Sequence, residues 1–233
     1  MIGNTAYSAS CLLGVEGLVA QELREMGCEN VNVENGRVLF FGDDRILART
    51  LIGSRYSERI GILAGEFCAR NFQELFEGVK ALPWEKYINK HDEFPVTGSS
   101  LNSQLHSVPD CQSIIKKAVV ERLKLKYKLS WFSEDGARKR IRFRILKDKV
   151  SLVIDASGAG LHKRGYRPAS NSAPIKETLA AALVKLSRLR TDGCFIDPFC
   201  GSGTLLIEAA ALAMNMAPGL DRSFVAESWK DID

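Results

Sequence analysis

The segment with the clearest chemical potential runs from Cys194 to Ala213. Its first residues are apolar, as in a buried strand, and they lead through Asp197 to the turn Gly201-Ser-Gly203. Because glycine has no Cβ, the backbone of such a turn can approach a ligand closely. Thr204 can then start a helix whose N-terminal amides point toward the same ligand. We therefore predict a strand, a tight turn and a helix that hold a cofactor at the carboxyl end of a parallel strand.

The kind of cofactor follows partly from what this loop lacks. A phosphate-binding loop of the type G-x-x-x-x-G-K-[ST] needs a lysine, and the loop has none. A dinucleotide-binding loop prefers a third glycine where this chain has Leu206. The pattern D-x-x-x-G-x-G-T fits better a loop that holds the amino-acid end of S-adenosylmethionine. A nucleophilic role for Cys200 is a weaker alternative, because no histidine follows His162 in the chain.

Positive charge is concentrated in one part of the chain. Between Lys116 and Lys149 there are 13 Lys and Arg residues against 4 Asp and Glu residues, a balance of +9, whereas the whole chain carries +4. The remainder of the chain is therefore net negative. This asymmetry is typical of a protein that binds a polyanion such as RNA.

Two predicted elements carry much of this charge. A helix that we expect to be capped by Asp110 keeps its apolar residues at 3.6-residue spacing and leaves lysines on the other face. A strand pair is predicted at Ile141 to Leu146 and Val150 to Asp155, joined by a short polar turn. Alternation along the first strand sends three arginines to one face, about 7 Å apart between neighbours. The alternative is an ordinary solvated face of charged residues.

A linker rich in glycine and serine is predicted at residues 157–172. Its middle, Leu161 to Arg167, is basic and holds one aromatic ring, so it can contact phosphate or stack on a base, or else form a solvated loop. The candidate RNA-binding residues are Lys116, Lys117, Lys124, Arg138, Lys139, Arg140, Arg142, Arg144, His162, Lys163, Arg164 and Arg167.

The first 66 residues predict a small α+β unit. The order of predicted elements is β-α-β-β-α-β, with Asn35-Gly36 as a hairpin turn and Asp43 as a helix cap. This order suggests a ferredoxin-like fold. A second unit begins near Asn71, which can cap a helix that ends before Pro83.

Composition excludes several classes of protein. The content of 45% apolar and 26% charged residues is ordinary for a folded chain. The six cysteines form no C-x-x-C pair and the chain has only three histidines, so we expect no metal site and no disulfides, but buried, reduced cysteines. The N-terminus lacks a basic region ahead of its apolar stretch, and no apolar run approaches the ~20 residues of a membrane span. We therefore expect a cytoplasmic protein that does not insert into membranes.

Three motifs together resemble a known family. They are Leu-His-Lys-Arg-Gly-Tyr-Arg at 161–167, Ala-Pro-Ile-Lys-Glu-Thr-Leu-Ala-Ala-Ala at 173–182, and Asp-Pro-Phe-Cys-Gly-Ser-Gly-Thr at 197–204. In this order they are similar to the THUMP-domain RNA guanine-N2 methyltransferases, and members that act on bacterial large-subunit ribosomal RNA are the nearest match. The resemblance covers essentially the whole chain.

The resemblance implies an α+β N-terminal ferredoxin-like domain at 1–66, a THUMP RNA-binding domain at 67–156, the linker at 157–172 and the start of an α/β Rossmann-like methyltransferase domain at 173–233. It also implies that S-adenosylmethionine is the cofactor. For the residues that open the helix near 177, the alternative is that proline and glutamate simply favour a helix start. The implied cofactor-binding residues are Pro174, Lys176, Glu177, Asp197, Pro198, Phe199, Gly201, Ser202, Gly203 and Thr204.

The chain departs from the family pattern after the glycine turn. The family's second acidic residue, which binds the ribose, and its Asn/Asp-Pro-Pro-Tyr segment are not found, and only twenty residues follow Ala213. A complete β-α unit needs ~30 residues. We therefore expect a shortened product, a broken reading frame or one piece of a split protein. Such a chain would contain no catalytic residue, bind RNA, bind the cofactor weakly at most and give no turnover.

Two alternatives remain. One is a stand-alone RNA-binding module whose cofactor loop is vestigial, which would bind RNA in a salt-sensitive way without any cofactor effect. The other is a THUMP enzyme of the thiolation type, but that needs an S-G-G-x-D-S loop which this chain lacks.

Overall fold

The structure is a computed structural model that describes residues 5–166, 174–188 and 193–230. The chain forms two compact units, the first made of Met1–Ile60 and Ser157–Phe224, the second of Gly61–Ala156 and Val225–Asp233. In chain order the elements are β1 (Thr5–Ser10), α1 (Glu16–Glu25), β2 (Glu29–Glu34), β3 (Arg37–Gly42), α2 (Asp44–Gly53), β4 (Arg59–Cys68), α3 (Phe72–Ala81), β5 (Val96–Leu101), α4 (Val108–Tyr127), β6 (Ile141–Leu146), β7 (Lys149–Asp155), α5 (Glu177–Leu186) and α6 (Thr204–Ala213), with short 3-10 turns at Trp84–Lys86 and Val225–Ser228.

The first unit has the predicted ferredoxin-like order of elements. Its strands lie in the order β2-β3-β1, and the start of β4 follows β1, which is the arrangement of a split β-α-β fold. Strand β3 pairs antiparallel with both β1 and β2. The predicted cap Asp43 is confirmed, because its carboxylate accepts a hydrogen bond from the Ile46 amide at 2.9 Å. Tyr7 and Phe40 fill the core with ring centroids 5.4 Å apart.

The first unit also contains α5 and α6, which pack against each other. The strand predicted at Cys194 to Asp197 is not formed in the described part of the chain, and Ile196 is 77% exposed. A strand is stable only beside a hydrogen-bonded neighbour, and no described strand pairs with this segment. The apolar pattern was therefore insufficient to predict the strand.

In the second unit the strands lie in the order β4-β7-β6-β5. The predicted pair of β6 and β7 is confirmed as antiparallel, while β5 runs parallel to β6. Lys147 and Asp148, which join the pair, both have positive φ, as a tight two-residue hairpin turn requires. The sheet's inner side is built by Ile141, Phe143 and Ile145, all nearly inaccessible to solvent.

Helix α4 begins two residues before its predicted cap, Asp110. Ser107 is the residue before the helix, Pro109 lies in the first turn, and Asp110 lies inside the helix instead of capping it. Proline is well tolerated in a first turn because its missing N–H has no acceptor there. The cap predicted for α3 is confirmed, since the Asn71 side chain accepts a hydrogen bond from the Glu74 amide at 2.9 Å. Among the described helices none is long and apolar enough to span a bilayer.

Candidate functional site

The glycine turn before α6 adopts a backbone shape that favours glycine. Gly201 has a φ of +52° and Gly203 a φ of +70°, both in the left-handed region that costs other residues energy. The Gly203 amide donates to the Cys200 carbonyl at 2.7 Å, and the Ile207 amide donates to the Gly203 carbonyl at 2.9 Å. The first of these bonds closes the turn, and the second starts the helix.

The described residues leave the space in front of this turn open. Among their atoms a Cβ on Gly203 would meet none within 4 Å, and one on Gly201 would meet only the Phe199 carbonyl oxygen at 3.9 Å. Crowding by the described part of the chain therefore does not explain the glycines. The positive φ values and the room beside the backbone together fit a turn that accepts a ligand, since a helix start leaves its first amides without intrahelical acceptors.

The other predicted loop residues differ in their surroundings. One carboxylate oxygen of Asp197 accepts a hydrogen bond from the Phe199 amide at 3.1 Å, which fixes the start of the turn. The Phe199 ring is 93% exposed, and Pro198 is exposed beside it. The hydroxyls of Ser202 and Thr204 lie 3.1 Å apart, with Thr204 buried and Ser202 exposed. Asp197 and Ser202 are thus better placed to reach a ligand than Thr204.

The residues that open α5 are held by Glu58. The Lys176 ammonium donates to one Glu58 oxygen at 3.1 Å, and the Thr178 hydroxyl donates to the other. Burial, the largest single influence, would raise the pKa of Glu58, but these two hydrogen bonds and the nearby positive charge of Lys176 together outweigh it, and the pKa is lowered. Lys176 therefore has a structural partner, while Glu177 is buried and Pro174 is partly buried.

His162 lies in the same cluster. Its Nδ1 is 3.7 Å from a Glu58 oxygen, yet burial outweighs this attraction and lowers the pKa of the imidazole below its usual range. The ring is therefore mostly neutral at neutral pH and contributes little charge to an RNA surface.

A buried ion pair between Arg164 and Glu208 was missed by the sequence reasoning. Arg164 is 4% exposed, and its Nε lies 3.3 Å from Glu208 Oε1. The other guanidinium nitrogens donate to the carbonyls of Leu161 at 2.9 Å and Arg55 at 2.6 Å, and the Tyr166 hydroxyl donates to Glu208 at 2.9 Å. A glutamate inside the apolar stretch of α6 was the available signal, because buried acids need partners.

Two lysines of the predicted basic surface also have internal partners. Lys139 is 2% exposed, and its ammonium donates to the Tyr87 carbonyl at 2.6 Å and lies 3.3 Å from an Asp92 oxygen. The Lys116 ammonium lies 2.6 Å from Glu134 and 3.5 Å from the centroid of the Phe94 ring. Burial argues against direct RNA contact by Lys139 and Arg164. Lys116 is already engaged by Glu134 and Phe94, which leaves its ammonium group less available to RNA.

The arginines of β6 lie on the face opposite its apolar residues, as the alternation predicts. Arg142 and Arg144 are partly exposed, and a guanidinium nitrogen of Arg142 is 3.9 Å from the buried Asp155. Arg140 Nε is buried without a hydrogen-bond partner among the described residues. Arg138 is half-exposed and pairs with Glu93 at 3.3 Å.

The remaining candidate RNA-binding residues differ in their exposure to solvent. Lys117 and Lys163 are exposed, Lys124 is partly exposed, and Arg167 lies outside the described residues.

No group of three or more potential metal ligands occurs in the part of the chain that the structure describes. The expectation of buried cysteines was wrong for Cys68, Cys194 and Cys200, which are exposed at a strand end and in the unpaired segment around the glycine turn.

Three family descriptions match successive parts of the chain. Residues 6–61 match the RlmL ferredoxin-like domain, residues 69–155 the THUMP domain, and residues 164–232 the RMKL-like methyltransferase domain. The chain is therefore similar, in this order, to a ferredoxin-like domain, a THUMP domain and part of a methyltransferase domain. Its ferredoxin-like unit and THUMP domain precede the part that matches an α/β methyltransferase domain.

Two relatives show how much of such a protein the chain spans. YpsC of Bacillus subtilis (strain 168), provisionally named an RNA methyltransferase, is 48% identical over 95% of this chain and 58% of its own length. The ribosomal RNA large subunit methyltransferase K/L of Psychromonas ingrahamii is 36% identical over 98% of this chain and 31% of its own. The chain thus spans between about one third and three fifths of these two relatives.

Two solved structures share the fold of this THUMP-domain chain. A Listeria monocytogenes protein described as a predicted N6-adenine-specific DNA methylase is 49% identical, with a TM-score of 0.94 over 99% of this chain and 61% of its own. SMU.472, provisionally called a methyltransferase and solved in complex with SAH, is 43% identical, with a TM-score of 0.92 over 100% of this chain and 62% of its own.

Proposed function

We propose that this chain is the RNA-binding and cofactor-loop part of an S-adenosylmethionine-dependent RNA methyltransferase. The observation that carries the proposal is the turn Gly201-Ser-Gly203, with positive φ at both glycines and open space beside them, at the start of α6. It lies within the residues that match a methyltransferase domain, and the similar protein SMU.472 was solved with SAH.

In this proposal the cofactor's amino-acid end lies against the turn. Asp197, Gly201, Ser202 and Gly203 make the nearest contacts, flanked by Pro198, Phe199 and Thr204, while Pro174, Lys176 and Glu177 border the cleft from the start of α5. When bound, S-adenosylmethionine supplies an electrophilic methyl group on a sulfonium, which is already a good leaving group. The protein's task is then mainly to position the acceptor.

We propose that the acceptor is N2 of a guanine in large-subunit ribosomal RNA. A new N2–methyl carbon bond forms as the carbon–sulfur bond breaks, the electron pair stays on sulfur in S-adenosylhomocysteine, and N2 loses a proton to solvent. The base has to leave its stack to enter such a site. Support comes from the motif resemblance and from the relative named a ribosomal RNA large subunit methyltransferase. An RNA substrate of this kind fits a cytoplasmic protein.

The proposed RNA contacts come from basic residues of both units. In the second unit they are Lys117, Lys124, Arg138, Arg142 and Arg144, with Lys116 and Arg140 as secondary candidates. In the first unit Lys163 is exposed and His162 partly exposed, and Arg167, which lies outside the described residues, is proposed from the motif alone. These cations would give sequence-independent, salt-sensitive contacts to phosphates, which position the RNA without specifying a base.

We further propose that the domains divide at residues 66, 156 and 172, and that the 233-residue chain alone gives no turnover. It lacks an Asn/Asp-Pro-Pro-Tyr segment to hold the target amine. A second candidate function is DNA adenine methylation, which the description of the Listeria protein favours. A third is a stand-alone RNA-binding module.

The test is labelled-methyl transfer from S-adenosylmethionine by the complete protein, with deproteinised large-subunit ribosomal RNA and duplex DNA as competing acceptors. We expect label in RNA only, none with the 233-residue chain, and loss of label when Gly203→Val fills the open space. Label in DNA alone, recovered as N6-methyladenine, would establish the adenine methylase instead. Salt-sensitive RNA binding without methyl transfer, and with an affinity that S-adenosylmethionine does not change, would support the stand-alone RNA-binding module. Turnover by the 233-residue chain would contradict its predicted inactivity.

A further inference from the structure

The end of α4 exposes large apolar side chains that no part of the proposed function explains. Leu125, Leu129 and Trp131 are all exposed, and the Trp131 indole is 73% accessible to solvent. The chain has three tryptophans, and Trp84 and Trp229 are both buried. Clustered exposed apolar side chains in a folded protein usually mark a binding surface.

The exposure of Trp131 does not come from a loosely held loop. The next residue, Phe132, is buried and packs edge-on against Phe94, with ring centroids 6.3 Å apart. Ser133 Oγ lies 3.1 Å from His91 Nδ1. Glu134 pairs with Lys116 at 2.6 Å. These three contacts hold the backbone beside Trp131 in place, so the exposed indole is carried by an anchored segment.

A row of lysines leads along α4 to this tryptophan. At 3.6 residues per turn, Lys117, Lys124 and Lys128 lie within about 40° of one another around the helix axis. They face away from the buried side of α4, which includes Ile115 and Leu123. Lys128 ends the helix in a left-handed conformation, with its amide bonded to the Lys124 carbonyl at 2.9 Å.

The surroundings of the apolar cluster are electropositive. Between residues 122 and 133 the sequence has four Lys or Arg residues and no Asp or Glu. Arg122 is paired with Glu85, and Lys124 lies 3.1 Å from Glu121 in an exposed pair that water screens. Lys128 has no ion pair among the described residues. The cluster therefore combines an exposed aromatic face with uncompensated positive charge.

We propose that Trp131, together with Leu129, Leu125, Lys124 and Lys128, forms a stacking platform for an unpaired nucleobase of the RNA. Single-stranded nucleic acid is held by aromatic rings that stack on bases and by cations that follow the backbone. A base inside a duplex cannot offer its face to an indole, so the platform selects a loop, bulge or strand end. This inference rests on the proposed RNA-binding function and adds the state of the RNA that the THUMP region recognises.

The test titrates the 233-residue chain into a fluorescein-labelled single-stranded oligoribonucleotide of mixed sequence, and into the same strand paired with its complement. Anisotropy gives the affinity at several salt concentrations. Intrinsic tryptophan fluorescence reports the contact itself, because Trp131 is the exposed member of the three tryptophans. The variants are Trp131→Ala, Trp131→Phe and, as the matched electrostatic control, Lys128→Ala.

We expect single-stranded RNA to bind more tightly than the duplex and to quench the tryptophan fluorescence. Trp131→Ala should weaken single-strand binding roughly tenfold without changing the salt dependence, and Trp131→Phe should retain most of the affinity. Lys128→Ala should instead reduce the slope of log affinity against log salt by about 0.7. The substituted side chains are exposed, so circular dichroism should show unchanged folding.

Normal RNA affinity of Trp131→Ala, or equal quenching by the duplex, would overturn the platform and leave the proposed function standing. Concentration-dependent self-association that Trp131→Ala abolishes while RNA binding persists would assign the surface to a protein partner. Failure of the unaltered chain to bind either RNA at any salt concentration would overturn both the platform and the RNA-binding role of the chain.

Discussion

Replacement of Arg164 by methionine should destabilise the first unit strongly. The guanidinium and the Glu208 carboxylate are both almost completely buried, at 3% and 2% side-chain exposure. Arg164→Met keeps a long apolar stem, so little volume is lost. It removes the cationic partner of Glu208 and leaves the carbonyls of Leu161 and Arg55 without their side-chain donors.

The magnitude follows from the charge that stays behind. Removing one partner of a buried ion pair costs about 3 to 5 kcal/mol, because the other charge remains buried and uncompensated. The Tyr166 hydroxyl still donates to Glu208 and offsets part of this cost, so we expect about 3 kcal/mol. The double variant Arg164→Met with Glu208→Met should recover about 2 kcal/mol of that loss, since neither charge is then buried alone.

The assay is urea unfolding of the 233-residue chain, followed by far-ultraviolet circular dichroism. Tryptophan fluorescence is unsuitable, because all three tryptophans lie in the second unit. The matched control is Lys163→Met, which removes one positive charge from the exposed neighbouring position and should change stability by less than about 0.5 kcal/mol. A loss below about 1 kcal/mol for Arg164→Met, or a double variant no more stable than the single one, would show that the Arg164–Glu208 pair does not stabilise the first unit in this way.

Three further predictions concern pH and the glycine turn. Burial raises the pKa of Glu22 to about 7, so the folded state binds this proton more tightly than the unfolded state. The free energy of unfolding, measured by urea titration, should therefore fall by about 2 kcal/mol between pH 5 and pH 8. The variant Glu22→Gln should not show this loss. The Arg122 hydrogen bonds lower the pKa of Glu85 to about 2. The pair should therefore contribute about 1 kcal/mol to the free energy of unfolding above pH 4.5, and progressively less as the pH falls to 2. If the parent chain exceeded Arg122→Gln in free energy of unfolding by the same amount at pH 2 as at pH 7, this prediction would be wrong. Gly203→Ala should cost about 1 kcal/mol in thermal unfolding because of its positive φ, whereas the control Gly17→Ala in α1 should be neutral or stabilising.

Local patterns were sufficient where the determining interactions are local. The alternation of Ile141, Phe143 and Ile145 predicted strand β6 and its two faces, because a buried sheet face repeats every second residue. Asp43 and Asn71 were recognised as helix caps because their acceptors reach amides only three residues away.

Long-range partners could not be predicted from the sequence. Arg164 belongs to a basic motif that is typical of an exposed surface, yet its carboxylate partner is 44 residues away in α6. Lys139 likewise finds the Tyr87 carbonyl 52 residues earlier. The segment at Cys194 has the composition of a strand, but strand formation depends on a hydrogen-bonded neighbour, which composition does not reveal. In the candidate site, the glycine turn and α6 were therefore predictable, whereas the Glu58 and Glu208 clusters were not.

The most direct test of the central claim is to identify the nucleoside that the complete protein modifies. The complete protein and S-adenosylmethionine are incubated with large-subunit ribosomal RNA. The RNA is then digested to nucleosides, which are separated by chromatography and identified by mass spectrometry. We expect N2-methylguanosine in the treated RNA and none after treatment with the 233-residue chain. Methylation of another nucleoside, or N6-methyladenine in DNA with unmodified RNA, would contradict it.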